Sequence, residues 1–352
     1  MSKLRIGFVG VGGMGQCAHL QNYAVLGDCE VVALAELRTD LGRRVAQRYG
    51  IPRTYANHTE MLASEQLDGI VASQPFNRHG VLLPDLFEAG VPVFTEKPLT
   101  CSIEAGEKIL QALRSSSARH YLGYHKRSDP ASVYAVEEIR RLKETGELGP
   151  MRYVRICMPA GDWVANGFAA LLQSDEPLPP MDWDPLPSDM DEEMQQAYSA
   201  FVNYYIHQVN YMRYLFGEPY AFSYADPAGR ILAVHSESGV PGIIEMSPYE
   251  TTVDWQEEAL VAFHHGFVKV QLPAPLAHNR PGVVTVYRDP GDGARPTEIR
   301  PRLPWVHAMR QQAQFFLDAI HGKRTPLCEA PEALEDLKIA RDYIEAMRDG
   351  CC

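Results

Sequence analysis

The sequence predicts a two-domain α/β chain: a parallel sheet with right-handed helical crossovers at the N-terminus, then an α/β domain built on a large, open, mainly antiparallel sheet. Three observations lead there. Through residue 124, short β-branched runs alternate with helical patterns, the rhythm of a parallel sheet. Beyond Tyr124 that rhythm stops. From Ala221 to Leu272 strand-like runs follow one another with no long helix between them.

The elements justify this in order. Leu4–Val9, Glu30–Ala35, Asp68–Ser73, Pro92–Thr95 and His120–Tyr124 read as strands, and Gly13–Leu26, Leu41–Tyr49 and His79–Ala89 as helices. A helix over Ala131–Glu144 stops at Gly146 and Gly149-Pro150, and Met151–Cys157 is strand-like. A helix over Phe201–Phe216 precedes runs at Ala221–Tyr224, Ile231–Val234, Ile243–Met246, Ala259–Phe263 and Phe267–Leu272. Two helices, Trp305–Ile320 and Pro331–Met347, close the chain and are expected to pack back on the rest. The predicted domains are residues 1–124 and 125–352.

The chain has 352 residues and a formal net charge of −12, which excludes a general nucleic-acid binder because phosphate neutralisation needs clustered Lys and Arg. No apolar run approaches the ~20 residues of a membrane helix, and Met1-Ser2-Lys3 leads straight into a strand, so a cytoplasmic protein is expected. The seven cysteines lack CxxC spacing, and reduced thiols with no metal site are expected. A lipidation signal at Cys351-Cys352 lacks a polybasic partner. Ile156 to Met212 holds no Lys or Arg but nine acids. Its Pro-rich composition reads as a solvated loop more readily than as an insertion over a site.

Gly10-Val11-Gly12-Gly13-Met14-Gly15 follows the first strand and opens a helix, the context in which GxGxxG binds a dinucleotide. Gly10 allows the tight turn, Gly12 lets the backbone approach the pyrophosphate, and Gly15 allows close helix–strand packing. The first domain therefore reads as a Rossmann domain. Glu36 ends the second strand, where a carboxylate accepts from the adenosine ribose hydroxyls and favours NAD. Arg38, with Arg43 and Arg44, could instead hold a 2′-phosphate, so NADP stays open.

Ser73-Gln74-Pro75-Phe76-Asn77-Arg78-His79 and the later Thr95-Glu96-Lys97-Pro98-Leu99 resemble the glucose-fructose oxidoreductase and inositol dehydrogenase (Gfo/Idh/MocA) family. The likeness extends to Gly146-Glu147-Leu148-Gly149, to His207 and to the closing helices, nearly the whole chain. It implies a Rossmann domain joined to an α/β domain whose open sheet often forms the oligomer interface, with a sugar or cyclitol substrate between the two. It also implies that Lys97 reaches the reacting oxygen, that His207 is the acid/base, and that Pro75, Asn77 and His79 border the cofactor. Ser73, Gln74 and Glu96 complete that cofactor set. Phe76 stands where the family commonly has Asn. Asn203 and Asn210 stand where it generally places an Asp and often a second acid.

The residues support these roles independently. Lys97 ends a strand at the edge where open α/β sheets bind ligands, with Pro98 enforcing an extended turn. An ammonium there stabilises a developing alkoxide. On the predicted helix, Val202, Tyr205, Ile206, Val209, Met212 and Phe216 form a core stripe, and Asn203, His207, Asn210 and Tyr214 a polar row. Asn203 would position a substrate hydroxyl, since an amide cannot take its proton. Tyr124, His125, Arg127, Asp162, Trp163, Asn166 and Tyr204 are further candidate contacts to a polyol, against simple ion pairing for the basic ones. A homodimer or homotetramer is expected. Three functions fit: an NAD(P)-dependent sugar or cyclitol dehydrogenase, a nucleotide-binding regulatory protein without turnover, and an NAD-using glycoside-cleaving enzyme.

Overall fold

The structure, a computed structural model, describes residues 2–349. Cys351 and Cys352 lie outside the described residues. Two compact units emerge, neither continuous in sequence: residues 2–124, 166–191 and 312–337 form the first, and residues 125–165, 192–311 and 338–349 the second. The division expected from sequence treats each domain as one stretch of chain; the first unit instead gathers three.

In the first unit, β1 (Leu4–Val9), β2 (Cys29–Ala35), β3 (Arg53–Tyr55), β4 (Gly69–Ala72), β5 (Val93–Glu96) and β6 (His120–Gly123) form a parallel sheet ordered β3-β2-β1-β4-β5-β6. Its central strands are apolar on both faces, as a sheet covered on both sides requires. The order reverses between β1 and β4, the switch point at which open α/β sheets bind ligands. The helices are α1 (Gln21–Tyr23), α2 (Thr39–Tyr49), α3 (His58–Ser64), α4 (His79–Glu88) and α5 (Ile103–Arg114). The helix expected over Gly13–Leu26 is π-helical at Gly15–Leu20 before it becomes α1. The Asn22 amide donates to the Ala18 carbonyl at 2.8 Å, and the Gln21 amide to that of Cys17, so side chains compete for backbone acceptors. Ile6, Phe8, Leu20, Tyr23, Leu34 and Phe94 form the core with Phe316 and Leu317 from the late segment.

In the second unit, β7 (Met151–Ala160) lies inside an eight-stranded sheet ordered β14-β13-β12-β11-β7-β10-β9-β8. The others are β8 (Tyr220–Ala225), β9 (Ile231–Ser236), β10 (Pro241–Glu250), β11 (Glu257–Phe263), β12 (Gly266–Leu272), β13 (Val283–Arg288) and β14 (Thr297–Ile299). The pairing is antiparallel except for β7 with β10. Val154, Ile156 and Met158 of β7 are buried, while Arg155 and Cys157 point to the other, half-exposed face. α6 (Pro130–Thr145) and α8 (Ile206–Phe216) pack on the sheet. α9 (Ala308–Ile320) and α10 (Ala330–Asp349) close the chain.

The single helix expected over Phe201–Phe216 is two helices, α7 (Glu192–Tyr204) and α8, that part at Tyr205. Burial varies along the predicted polar row. Asn203 is exposed, His207 and Tyr214 are half-buried, and Asn210 is fully buried, its carbonyl accepting from Arg127 at 3.0 Å. The core stripe survives, with Tyr205 only half-buried.

Candidate active site

In the first unit, the glycine turn occupies the switch point. Gly10 has φ +88°, and a Cβ there would lie 2.5 Å from the Ser73 carbonyl oxygen. A Cβ on Gly15 would lie 2.6 Å from the Gly10 carbonyl oxygen, so the helix can approach β1 only with glycine there. Gly12 differs: a Cβ built on it meets nothing within 4 Å. Packing does not require glycine at 12, yet an open backbone is what a pyrophosphate needs at that position. Gly13 and Met14 continue the turn, and the Phe168 ring stands 3.4 Å from a Cβ built on Gly13.

Glu36 directly follows β2 and is buried. Its Oε2 accepts from Val11 N–H at 2.8 Å, and its Oε1 accepts from Arg38 N–H at 3.1 Å and Arg38 Nε at 2.9 Å. The acid thus fixes the glycine turn and holds the neighbouring guanidinium. These residues fit the adenosine half of NAD.

Lys97 follows β5, half-buried between buried neighbours. Its N–H donates to Glu96 Oε2 at 3.2 Å, and Glu96 Oε1 lies 2.7 Å from His19 Nε2. Burial pushes the Glu96 carboxyl up, but the His19 hydrogen bond, with the charges of His19 and Lys97, outweighs it and holds Glu96 below the usual range. His19 was not singled out from sequence, because its partner is 77 residues away. Glu96 therefore positions Lys97 from within.

Three of the expected contacts are buried. His79 is fully buried, with Nδ1 3.0 Å from the Leu99 carbonyl, so it holds the Lys97-Pro98-Leu99 turn and presents no surface to a cofactor. Burial depresses its pKa. Tyr124 is buried as well. Arg127 is buried, donating to the Asn210 carbonyl and lying 4.9 Å from the Tyr214 ring centroid, the structural alternative for a basic residue there. Ser73, Gln74 and Asn77 are half-buried along the turn after β4, and Pro75 is exposed.

Residues 166–191 form no helix or strand and are largely exposed, yet they belong to the first unit and are tied to it by hydrogen bonds. Leu172 exchanges hydrogen bonds with the Gln16 side chain, and Arg48 donates to the Ala170 carbonyl. Glu176 accepts from Thr39 and Asp40 N–H, both at 3.0 Å. Asp184 accepts from Gly80 N–H at 2.7 Å and from the Thr100 hydroxyl at 2.8 Å. The acids of this strap thus serve the N-terminal turns of α2 and α4, where the helix dipole favours negative charge. Asn166 starts the strap, exposed and with φ +60°.

In the second unit, the rings of His125 and His207 meet edge to face with centroids 4.7 Å apart. Beside His207, the fully buried Gln208 donates to Glu257 Oε1 at 2.8 Å. Glu257 is also paired with Lys126 and accepts from the Trp255 indole at 3.3 Å. The buried partner of Lys126, between His125 and Arg127, lies 131 residues on, beyond the reach of local sequence. Asp129 caps α6, accepting from Ala131 and Gly282 N–H. Burial pushes its carboxyl up to about 6, against those hydrogen bonds. Asp162 Oδ1 accepts from Val164 and Ala165 N–H, both at 3.0 Å, shaping its own turn; Trp163 and Tyr204 are half-buried. A cavity of 660 Å³ in this unit is lined by Asp162, Trp255 and Arg280 among others, but not by His207.

Among the described residues no group of three or more His, Cys, Asp or Glu could hold a metal ion, and no helix is long and apolar enough to cross a membrane.

Residues 4–124 match the model of an oxidoreductase family with an NAD-binding Rossmann fold, Gfo/Idh/MocA. The chain is 22% identical over 242 residues to a myo-inositol 2-dehydrogenase of Thermotoga maritima, a match covering 69% of this chain and 63% of that one. It is 23% identical over 366 residues to the scyllo-inositol 2-dehydrogenase (NAD(+)) of Bacillus subtilis, covering 99% of this chain and 95% of the relative. Among solved structures, an aldose-aldose oxidoreductase from Caulobacter crescentus superposes with a TM-score of 0.71 at 17% identity, covering 99% of this chain and 98% of the other. An oxidoreductase from Agrobacterium radiobacter in complex with NAD+, L-tartaric acid and magnesium gives 0.70 at 13%, covering 99% and 97%. The glycine turn at the switch point lies within the matched residues, and similarity to the B. subtilis relative runs on through the second unit: residues 4–124 belong to the NAD-binding Rossmann domains of the Gfo/Idh/MocA oxidoreductases.

Proposed function

We propose that this protein is an NAD-dependent dehydrogenase that interconverts a hydroxyl and a carbonyl on a cyclitol or sugar. The observation that carries the reading is Lys97, set at the C-terminal edge of the parallel sheet by a backbone hydrogen bond to a buried, ionised Glu96. Inositol dehydrogenases among the relatives support the substrate class. The buried Glu36 at the end of β2 supports NAD.

In this reading NAD, when bound, supplies the hydride acceptor. His207 takes the hydroxyl proton, and its contact with the His125 ring limits how the imidazole turns. Lys97 stabilises the developing alkoxide. Asn203, exposed on α7, orients the substrate through hydrogen bonds without exchanging protons.

Asn203 also favours a second reading, a nucleotide-binding regulatory protein without turnover, since the resemblance leads one to expect an acid there. Lys97 and His207 together weigh against it, because a binding module needs neither. The test is NADH formation from NAD with a panel of inositols, aldoses and glycosides. Turnover supports the dehydrogenase; tight NAD binding with no turnover on any of them supports the regulator. Release of a free aglycone without net NADH would instead mark a glycoside-cleaving enzyme.

A further inference from the structure

We infer that Glu176, on the strap, is a specificity-determining residue that turns the nucleotide site against a 2′-phosphate and so sets NAD over NADP. The inference rests on the dehydrogenase reading.

In a Rossmann unit the adenosine 2′ position meets the end of the second strand and the loop that follows, here Glu36 to Thr39. A 2′-phosphate carries close to two negative charges at neutral pH and needs what this loop and the start of α2 could offer: main-chain N–H groups and guanidinium forks. The structure has already committed each of these. Glu176 accepts from Thr39 N–H at 3.0 Å, Asp40 N–H at 3.0 Å and the Thr39 hydroxyl at 3.3 Å. Arg38 is turned onto Glu36 through both its main-chain N–H and Nε. Arg43 pairs with Asp40 at 2.5 Å, and Arg44 donates to the Gln173 carbonyl at 3.0 Å.

Two carboxylates therefore flank the place where the extra phosphate would sit. Glu36 belongs to the strand end itself; Glu176 arrives from 137 residues away. Glu176 acts twice: its charge repels a phosphate, and its oxygens occupy the α2 N–H groups that would bind one. A 2′-hydroxyl is indifferent to both effects, because Glu36 can accept from it. The neighbouring strap contacts, Arg44 to Gln173 and Arg48 to Ala170, keep residues 170–176 against α2, so Glu176 is held there by more than its own hydrogen bonds.

The test is titration of the full-length protein with NADH and with NADPH, following nicotinamide fluorescence, for wild type, Glu176→Gln, Glu176→Asp and Glu193→Gln. Glu193 is an exposed acid outside the strap, and its variant loses the same charge. Wild type should bind NADH at least about tenfold more tightly than NADPH. Glu176→Gln should gain about tenfold for NADPH while NADH affinity changes less than about twofold. Glu176→Asp and Glu193→Gln should keep the wild-type ratio. An unchanged ratio in Glu176→Gln, an equal gain in Glu193→Gln, wild-type preference for NADPH, or equal loss of both dinucleotides in Glu176→Gln overturns the inference. If wild type binds neither dinucleotide, the dehydrogenase reading itself falls.

Discussion

Gln16 and Leu172, 156 residues apart, exchange two hydrogen bonds: the Gln16 amide donates to the Leu172 carbonyl at 3.0 Å, and Leu172 N–H donates back to Gln16 Oε1 at 3.0 Å. A side-chain amide thus stands in for one rung of a β-ladder. Gln16 also donates to the Val11 carbonyl at 2.8 Å, so one buried residue ties the strap to the glycine turn.

Removing that tie should free the strap before it unfolds the unit. Trypsin has no site between Arg155 and Arg213, so chymotrypsin, with Phe168, Leu171 and Leu172 as targets, is the appropriate probe. Gln16→Ala should raise cleavage at these residues about tenfold under native conditions, because local opening governs native-state proteolysis. Cleavage at the wild-type rate would mean that the strap is held without Gln16.

Gly12→Ala separates folding from binding. A Cβ there meets nothing within 4 Å, and Gly12 is not among the residues with positive φ. Its urea stability should stay within about 0.5 kcal/mol of wild type. NAD affinity should fall by about tenfold or more, since the methyl group lies where the pyrophosphate approaches. Unchanged NAD affinity would remove the glycine turn from the nucleotide site.

His120 sets a pH dependence. Its Nε2 lies 2.8 Å from the Thr95 hydroxyl, and burial, with the nearby His79, depresses its pKa to about 3. A histidine depressed in the folded state contributes stability that is present above the unfolded pKa and lost as the pH falls through the folded one. For His120 the loss runs from about pH 6.5 down to about pH 3. Between pH 7 and 4.5 it amounts to about 2 to 3 kcal/mol. Urea unfolding of His120→Gln should show an acid-side loss smaller by about that amount. A variant as acid-sensitive as wild type would show that His120 is not the titrating group.

Much of the N-terminal unit is legible in sequence, because parallel strands buried on both faces write themselves as apolar runs such as Leu4–Val9 and Gly69–Ala72. The glycine turn and Glu36 are legible because the required residues are local. The strap is not. Its prolines and acids are those of a solvated loop, and only the N-terminal turns of α2 and α4, more than a hundred residues earlier, give Glu176 and Asp184 their partners. The break at Tyr205 was equally hidden, because the apolar spacing runs through it while the chain parts into α7 and α8. Nothing local marks Gln208, whose partner Glu257 lies 49 residues on. Local pattern reports which face is buried; it does not report which distant group waits there.

Hydride transfer at a hydroxyl carbon with Lys97 as its cation is tested most directly by NADH formation from NAD and the inositol and aldose panel, for wild type and Lys97→Ala. Wild type should turn over at least one member, and Lys97→Ala should lose turnover by about a thousandfold or more while binding NAD nearly as well. A Lys97→Ala protein with undiminished kcat, or a wild type that binds NAD and oxidises no member of the panel, would contradict the account.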